Sequence, residues 1–483
     1  MKATCALALL AAVSAFAAQP QLRPEIDAGA DRFETDLQTP LKRIGTLVPK
    51  DSKSVRNPVT LGCETLDRDY ADYEKYKSYI SPLGIGKIRV QAGWAKCEKR
   101  KGVYDFAWLD KIVEHANSQS ITVYLQTSYG NPLYEGGGTP YLAGGMPKSA
   151  EAKAAWDNWV REMAKRYKGA NVEWEMWNEP DISKTSTDDD IVDINVRTAK
   201  IIKSEMPGAK IAALSLANTG DARRFRSYME KFKQADAFGL FAWVSHHGYR
   251  YRPEDLDAEV RKLRQILDLY APQIELRQGE LGAPSEPYAG GALGNHGWTE
   301  LTQAKWDIRR ILQDHGNGEQ TAVFSMADMH YGKNDAIKKT NAKGLLKTDR
   351  KHNVVKIKKA YYAVQNAMSI FPALKNPIPP ERIEADTELS RSVFGYEPKP
   401  GKTCFLIWFN EAVPTNFNAT TPVDVKISGA KFERPVWVDV ISGRVFEIPQ
   451  SSLRQAGDAT VITGVPVYDS PALISEASLI DFK

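Results

Sequence analysis

Short apolar segments rich in β-branched and aromatic residues alternate eight times with longer segments of helical period. The predicted strands are 59–63, 87–92, 121–127, 172–177, 209–216, 241–246, 273–278 and 321–327. The predicted helices that follow them are 69–81, 106–119, 150–168, 188–206, 221–235, 253–270, 299–315 and 354–371. Strands separated by helices pair in parallel through right-handed crossovers, and eight such units close into a barrel. Residues 57–371 therefore predict an α/β fold, a (β/α)8 TIM barrel. The main alternative, a doubly wound open sheet, usually carries a glycine-rich phosphate loop after its first strand, and none follows Cys63.

The pattern changes on either side of the barrel. Pro372, Pro377, Pro379 and Pro380 mark a linker, and short β-rich segments separated by turn residues follow it. Residues 372–483 therefore predict a linker and a smaller β-sandwich domain. Residues 18–56 show no clear period and predict an N-terminal arm, which is either exposed or contributes a strand to the sandwich.

The first residues have the pattern of an export signal. Lys2 precedes an apolar stretch, and Ala15-Phe16-Ala17 offers a small-x-small cleavage site, so residues 1–17 predict a signal peptide. The expected location is secreted or periplasmic, with a retained N-terminal anchor as the alternative. No later apolar run is long enough to predict a membrane span.

Charge and cysteine content bear on partners and cofactors. A net charge of +4, with dispersed basic residues, does not predict nucleic-acid binding. Beyond the predicted signal the cysteines are Cys63, Cys97 and Cys404, which lack metal-ligand spacing. Cys63 and Cys97 follow the first two strands and form either a disulfide or two separate buried thiols. The sequence contains no metal, phosphate-loop or nucleotide motif, so we expect no metal and no cofactor. It leaves the oligomeric state open.

Two glutamates stand where a TIM barrel carries its chemistry, at the carboxyl ends of strands. Glu179 ends the fourth predicted strand and Glu280 follows the seventh. These strand ends face each other across the barrel mouth, where carboxyl groups about 5 to 5.5 Å apart leave no room for a water and predict retention of anomeric configuration. We predict that Glu179 is the general acid/base of glycosidic bond cleavage and Glu280 the nucleophile. The alternative is that both are surface or salt-bridged carboxylates.

Neighbouring residues supply the tuning that the two roles require. Arg89 and Tyr249 are predicted to hydrogen-bond Glu280 and keep it ionised, and that nearby charge raises the pKa of Glu179. Asn178, beside the acid, is predicted to bind the sugar 2-hydroxyl. For Arg89 the alternative is an ion pair on the barrel floor.

Sugar rings bind to flat aromatic faces and to polar side chains, and both kinds of residue follow the predicted strands. The predicted aromatic platforms are Trp94, Tyr129, Trp177, Tyr249, Trp298 and Tyr331, with core packing as the alternative for each. The predicted hydroxyl binders are Asn131, His247 and Asp328. His246 and His247 cannot both point into the site, because adjacent strand residues face opposite ways.

The residues around Glu179 and Glu280 resemble those of the clan A glycoside hydrolases. The resemblance covers 57–371 and rests on Trp177-Asn178-Glu179-Pro180, Glu280, Arg89 and His246-His247-Gly248-Tyr249. The second strand–helix unit is also similar to glycoside hydrolase family 39 and the related families 5 and 42. The resemblance implies a retaining β-glycosidase that acts on an oligo- or polysaccharide of plant, algal or host origin. Alternatives are an endo-acting glucanase, mannanase or xylanase, and a non-catalytic carbohydrate-binding protein, which would be expected to have lost one carboxylate.

Overall fold

The computed structural model describes residues 33–287, 291–332 and 339–483. The predicted signal peptide, residues 1–17, lies outside the described residues. None of the helices in these ranges combines the length and the hydropathy that crossing a bilayer requires.

Eight parallel strands form the barrel that the sequence predicts. After β1 (Lys42–Thr46), which belongs to another sheet, they are β2 (Thr60–Gly62), β3 (Lys87–Gln91), β4 (Thr122–Thr127), β5 (Val172–Met176), β6 (Ile211–Leu216), β7 (Trp243–His246), β8 (Glu275–Gln278) and β9 (Ala322–Val323). Strands that are consecutive in the chain lie side by side from β2 to β8, and β9 pairs with β2. The Gln278 amide donates to the Gln320 carbonyl at 3.0 Å, which links β8 to the start of β9. The TIM barrel is therefore confirmed.

Most of the predicted helices agree with the structure within a few residues. In chain order the helices are α1 (Tyr73–Tyr76), α2 (Trp94–Cys97), α3 (Ala107–Ser118), α4 (Ala150–Arg166), α5 (Asp188–Glu205), α6 (Ala222–Gln234), α7 (Asp257–Tyr270), α8 (Glu300–Gly316) and α9 (Lys359–Ile370). Side-chain caps fix several starts: the Ser149 hydroxyl accepts from Ala152 before α4, and Thr187 and Asp190 form a capping box before α5.

Two predicted helices differ from the structure. The segment 69–81 contains only the single turn α1, followed by 3-10 turns, because Asp69 has a left-handed backbone with φ of 59° and Tyr76 leaves the helical region with φ of -124° and ψ of -5°. The start of 354–371 is a strand, β13 (Val354–Ile357), paired with β12 (Leu346–Thr348) after a short hairpin of β10 (Met329–His330) and β11 (Thr340–Asn341). The β-branched residues of β13 favour this pairing, so the helix begins only at Lys359.

The C-terminal region forms two antiparallel sheets that face each other. The strands are β14 (Ile383–Asp386), β15 (Arg391–Lys399), β16 (Lys402–Phe409), β17 (Thr421–Ser428), β18 (Pro435–Asp439), β19 (Arg444–Glu447), β20 (Leu453–Ala456), β21 (Ala459–Val467) and β22 (Ala472–Glu476). One sheet has the order β1-β19-β18-β22-β16-β15 and the other β14-β17-β21-β20. Buried side chains such as Phe405, Val425 and Trp437 fill the space between them. The β1 strand comes from the predicted N-terminal arm, so this segment contributes a strand to the sandwich.

Cys63 and Cys97 are two separate buried thiols and do not form a disulfide. Cys63, Cys97 and Cys404 are all buried and free. The Cys97 thiol donates to the Ala92 carbonyl at 3.2 Å, and the Cys404 thiol to the Ala373 carbonyl at 3.1 Å. Burial raises the pKa of the Cys97 thiol to about 12, so it stays protonated at neutral pH.

A buried ion pair joins the barrel to the sandwich. Arg309 of α8 is fully buried and donates to both carboxylate oxygens of Glu254, at 2.9 and 2.6 Å. The same carboxylate accepts the indole hydrogen of Trp408 from the sandwich at 2.9 Å. Arg309 also donates to the carbonyl of Ala412 at 3.2 Å. One carboxylate therefore holds side chains of both domains.

We expect Glu254→Ala to lower the free energy of unfolding by about 3–5 kcal/mol, because it leaves the Arg309 charge buried and uncompensated. Denaturant unfolding of the wild type and the variant measures this difference in the free energy of unfolding. The control is Glu384→Ala, which removes an exposed pair with Lys426 and should cost less than about 1 kcal/mol. Equal losses in the two variants would contradict the role assigned to Glu254.

Candidate active site

A cavity of about 450 Å³ opens at the carboxyl ends of the barrel strands. Its wall includes six of the predicted site residues, which are Tyr129, Asn178, Glu179, Tyr249, Glu280 and Tyr331. Arg89 and His247 are fully buried and hydrogen-bond residues of this wall from below. The tertiary structure therefore brings together side chains that belong to or directly follow six different strands.

A strained turn positions Glu179 after β5. Trp177 and Glu179 both adopt left-handed backbone conformations, with φ of 58° and 47°. Such a conformation costs a non-glycine residue roughly 1–2 kcal/mol and is concentrated at functional sites. The Glu179 amide donates to the Ser215 carbonyl of β6 at 2.9 Å, which fixes the turn. Pro180, which follows, begins a 3-10 turn. The Glu179 side chain, just before this turn, lines the cavity.

A close backbone approach positions Glu280 after β8. A Cβ atom at Gly279 would lie 2.4 Å from the hydroxyl of Ser245, so only glycine fits there. The carboxylate that follows is held at both oxygens. Arg89 donates through Nη1 to Oε2 at 2.7 Å, and the Tyr249 hydroxyl donates to Oε1 at 2.9 Å.

The two glutamates meet around His247. One oxygen of Glu179, one of Glu280 and a nitrogen of His247 all lie within 4.8 Å of one another. Nδ1 of His247 is 2.9 Å from Oε1 of Glu179 and 3.9 Å from Oε2 of Glu280. This closeness matches the carboxyl separation of retaining glycosidases, and it leaves no space for the water that an inverting pair needs.

Arg89 connects Glu280 to the rest of the barrel mouth. Its Nε donates to Glu175 at 2.6 Å, its Nη1 to Glu64 at 3.0 Å as well as to Glu280, and its Nη2 to Oδ1 of Asn178 at 2.9 Å. Nδ2 of Asn178 in turn donates to the Tyr129 hydroxyl at 2.8 Å. The amide of Asn178 is therefore oriented by partners on both sides.

Burial and charge move the pKa values of the two glutamates in opposite directions. Burial raises the pKa of Glu179, the hydrogen bond from His247 opposes this, and the negative charge of Glu280 adds to it. Burial alone would also raise the pKa of Glu280, but the charges of His247 and Arg89 and the Tyr249 hydrogen bond hold it below its ordinary value. Glu179 thus keeps its proton to higher pH while Glu280 is ionised, which is the division of roles that acid and nucleophile require.

His247 is the histidine that faces the site. Its Nε2 lies 3.0 Å from the Ser215 hydroxyl, while its Nδ1 faces Glu179. Although burial lowers its pKa, the charge of Glu280 and the bond to Glu179 raise it overall. His246 points the other way and contacts Glu319 at 2.5 Å, so it is a structural residue. This agrees with the expectation that adjacent strand residues face opposite sides.

The donor atoms of Glu179, His247 and Glu280 are close enough to hold a metal ion. Each of these atoms, however, already has a protein partner, and the Arg89 guanidinium lies 2.7 Å from Glu280. A fixed positive charge at that distance disfavours a bound cation. The arrangement suits proton transfer and nucleophilic attack better than metal binding.

Besides Trp94 and Trp177, which pack in the buried core, three residues predicted to bind sugar lie outside the cavity wall. Asn131 is buried and donates to the Glu98 carbonyl at 2.9 Å. Trp298 is buried in an apolar cluster and donates its indole hydrogen to the Leu293 carbonyl at 2.6 Å. Asp328 forms a buried ion pair with Lys358 at 2.6 Å. Each follows a barrel strand, but its polar group is turned into the protein and stabilises a loop instead.

The cavity wall also contains polar residues that the sequence analysis did not single out, namely Glu64, Arg68, Gln91, Asn341 and Lys343. Glu64 follows the first barrel strand directly, so its position could have indicated it as it did Glu179 and Glu280. Arg68 donates to the Gln91 amide oxygen at 2.6 Å. Lys343 lies in the turn between β11 and β12. Neither a hydrophobic period nor a motif of the sequence there predicts that its side chain faces the cavity.

Comparisons with known proteins agree with this architecture. A sequence model of glycoside hydrolase family 42, described as beta-galactosidase, matches residues 68–140. The chain is similar in structure to a family 39 glycoside hydrolase from the gut symbiont Bacteroides cellulosilyticus, with a TM-score of 0.64 and 16% sequence identity over 89% of this chain and 83% of that one. The fold is that of the clan A glycoside hydrolases.

Two further solved structures share the clan A fold at low sequence identity. A family 39 β-xylosidase from Caulobacter crescentus has a TM-score of 0.55 and 14% identity, covering 90% of this chain and 98% of that one. A family 30 endoxylanase from Clostridium papyrosolvens has a TM-score of 0.54 and 11% identity, covering 90% and 99%. A search of curated protein sequences finds no significant match. Identities this low establish the fold, and the chemistry must be argued from the site itself.

We expect Tyr249→Phe to move the acid limb of the kcat/KM profile to higher pH. The variant removes a hydrogen bond to the ionised form of Glu280, so the pKa of Glu280 rises and the nucleophile is protonated earlier as pH falls. Below the wild-type limb, kcat/KM should fall by roughly tenfold.

The matched control is Tyr331→Phe. Tyr331 also lines the cavity, but its hydroxyl accepts a hydrogen bond from Asn341 at 3.4 Å. Its acid limb should stay at the wild-type pH. A limb that moves equally in both variants would show that Tyr249 does not tune Glu280.

Proposed function

We propose that this protein is a retaining β-glycosidase in which Glu179 is the general acid/base and Glu280 the nucleophile. The observation that carries the proposal is the meeting of two carboxyl groups with opposite pKa shifts, within 4.8 Å of each other, in a cavity at the carboxyl ends of a TIM barrel. The clan A fold and the match to a family 42 model support the same reaction class.

In the first step, Glu179 protonates the glycosidic oxygen as the bond to the anomeric carbon breaks. Glu280 attacks that carbon from the opposite face and forms a glycosyl ester, so its negative charge is consumed. Loss of this charge weakens the electrostatic effect that keeps Glu179 protonated, and the pKa of Glu179 falls. Asn178, fixed by Arg89 and Tyr129, is placed to bind the sugar 2-hydroxyl.

In the second step, Glu179 acts as a base. It takes a proton from a water that enters after the leaving group departs, and the water oxygen attacks the anomeric carbon. The ester bond breaks and returns the electron pair to Glu280. Arg89 and Tyr249 stabilise the departing carboxylate through the hydrogen bonds that they already make at 2.7 and 2.9 Å. Two inversions at one carbon give net retention.

The natural substrate is proposed to be a plant, algal or host glycan that the enzyme meets outside the cytoplasm. The export signal predicted for residues 1–17 supports a secreted or periplasmic location. The structural neighbours described as a β-xylosidase and an endoxylanase, together with the β-galactosidase family model, make β-xylosides and β-galactosides the first glycosides to test.

We expect Glu280→Gln and Glu179→Gln each to lower kcat on aryl β-glycosides by at least about 10³-fold, since each loses a group that bonds to the reacting atoms. A 2-fluoro glycosyl fluoride should label the wild type at Glu280, as peptide mass spectrometry would reveal. Added azide should restore activity to Glu179→Ala on an activated aryl glycoside and give a β-glycosyl azide.

The matched control is Glu275→Gln, which neutralises an exposed glutamate at the other end of the strand that precedes Glu280. It should retain wild-type kcat. Full activity in both catalytic variants, or a label on a residue other than Glu280, would defeat the assignment.

An endo-acting polysaccharidase is the second candidate, and one feature favours it. A further cavity of about 380 Å³ meets the first at Arg68 and is lined by residues that include Tyr70 and Tyr141. Sugar units on either side of the cleaved one could bind there.

Product analysis separates these two candidates. An exo-acting enzyme should release monosaccharide from a xylan or galactan from the earliest time points, whereas an endo-acting enzyme should first produce a ladder of oligosaccharides. We expect early monosaccharide, because the cavity of about 450 Å³ at Glu179 and Glu280 has the size of a small-ligand pocket. An early ladder would favour the endo-acting alternative.

A further inference from the structure

A third carboxyl group, that of Glu64, lies in the wall of the catalytic cavity, and double displacement has no direct role for it. Glu64 follows β2 and is only 3% exposed. Its Oε1 accepts from Nη1 of Arg89 at 3.0 Å, and the same Nη1 donates to Oε2 of Glu280 at 2.7 Å. One nitrogen of one guanidinium is therefore shared between Glu64 and the nucleophile.

The second oxygen of Glu64 is in a different position. Oε2 is buried and makes no hydrogen bond within the described part of the chain. Oε2 lies close to Gly62: a Cβ atom added to Gly62 would be only 2.3 Å from this oxygen. The carboxyl group is therefore packed against the end of the strand that precedes it. A buried carboxylate oxygen without a donor is costly, whereas a protonated oxygen there carries no full charge.

The charge balance around Arg89 points the same way. The carboxyl groups of Glu64, Glu175 and Glu280 all bond Arg89, and Glu179 lies against His247. These four carboxyl groups lie around one guanidinium and one imidazole, with the Lys343 ammonium beyond Glu280. Buried charges are stable only when they are paired, so four ionised carboxylates would be poorly compensated here. Glu179, as the acid, carries a proton, and Glu64 is the carboxyl group with a buried oxygen that has no donor among the residues that the structure describes.

We propose that Glu64 is a positioning residue that is held as a neutral carboxylic acid, so that Arg89 directs its charge to Glu280. The proposal rests on the function proposed above and adds how the nucleophile is controlled. While Glu64 carries its proton, the ionised Glu280 interacts more strongly with Nη1 of Arg89 than the neutral Glu64 does. When Glu64 loses its proton, two anions compete for that nitrogen, and Glu280 loses part of the interaction that orients it.

The surroundings of Glu64 support the protonated state. Burial raises its pKa to about 8, the charge of Arg89 opposes the increase, and the charge of Glu280 adds to it. The other titratable groups that face it are the buried Cys63 thiol and the hydroxyls of Tyr76 and Tyr249, which are neutral at that pH. On the far side of Glu280, burial lowers the pKa of Lys343 to about 7, so its charge is also lost as pH rises.

The test uses variants that fix Glu64 in an uncharged form. Glu64→Gln is isosteric with the acid, and its amide oxygen can still accept from Arg89. Glu64→Met is a second neutral variant of similar length that can be used if the first fails to fold. The matched control is Asp307→Asn, since Asp307 is also a buried acid with a raised pKa, one bonded oxygen and one without a described partner, but it does not contact Arg89.

Rates are measured on a dinitrophenyl glycoside, whose departure needs no proton from Glu179. Glu64→Gln should keep kcat/KM at pH 6 within about threefold of wild type, because a neutral acceptor replaces a neutral acceptor. The alkaline limb near pH 8 should move up by about one pH unit or more in this variant and stay in place in Asp307→Asn. The acid limb, set by Glu280, should not move.

Two outcomes overturn the proposal. If Glu64→Gln loses as much activity at pH 6 as Glu280→Gln, Glu64 works as an anion. If the alkaline limb is the same in wild type and both neutral variants, the ionisation of Glu64 does not control the nucleophile.

Infrared difference spectroscopy of the substrate-free protein tests the protonation state without reference to activity. The wild-type spectrum minus that of Glu64→Gln should contain the C=O band of a protonated carboxylic acid at pH 6, and this band should disappear by pH 9. Its absence at pH 6 contradicts the inference. If the band is present but no aryl glycoside is hydrolysed, the proposed function fails and the protonation of Glu64 stands.

Discussion

The active face of this barrel depends on the bonds that a single buried guanidinium makes. Arg89 is fully buried on the second barrel strand and donates to Glu175, Glu64, Glu280 and Asn178. These residues follow or belong to strands that are far apart in the sequence. Because a buried arginine must satisfy all its donors with a fixed planar geometry, it sets the positions of its acceptors relative to one another. The barrel mouth is thereby pre-organised before any ligand binds.

The same interaction explains how two chemically identical side chains take different roles. Glu280 accepts hydrogen bonds from Arg89 and Tyr249, whereas Glu179 contacts His247 from a turn with left-handed backbone conformations at Trp177 and Glu179. Burial, with a further contribution from the charge of Glu280, then raises the pKa of Glu179 and keeps its proton. Backbone strain at Glu179 and the close approach at Gly279 are local costs that the packed barrel offsets, as is usual at catalytic sites.

Much of the fold was predictable because the side-chain periods of strands and helices are local properties of the sequence. Each predicted strand overlaps an observed one, and Glu179 and Glu280 were located because barrel chemistry occurs at strand ends. The two predicted helices that differ from the structure do so for physical reasons. The backbone leaves the helical conformation at Asp69 and Tyr76 in the first predicted helix, and β13 forms because a partner strand is available to it. Pairing of that kind depends on a second segment, which the period of β13 itself does not contain.

The sequence by itself determined the eightfold alternation, the strand-end positions of the two acids and the presence of Arg89, since these follow from hydrophobic period and order along the chain. Only the tertiary structure decided which polar side chains reach the cavity. Asn131 and Asp328 follow strands just as Glu64 does, but they bond Glu98 and Lys358 away from the cavity wall, while Glu64 bonds Arg89 and lines the cavity. Side-chain direction at a loop is set by burial and by competition for hydrogen bonds between elements remote in sequence, so it appears only when the barrel closes.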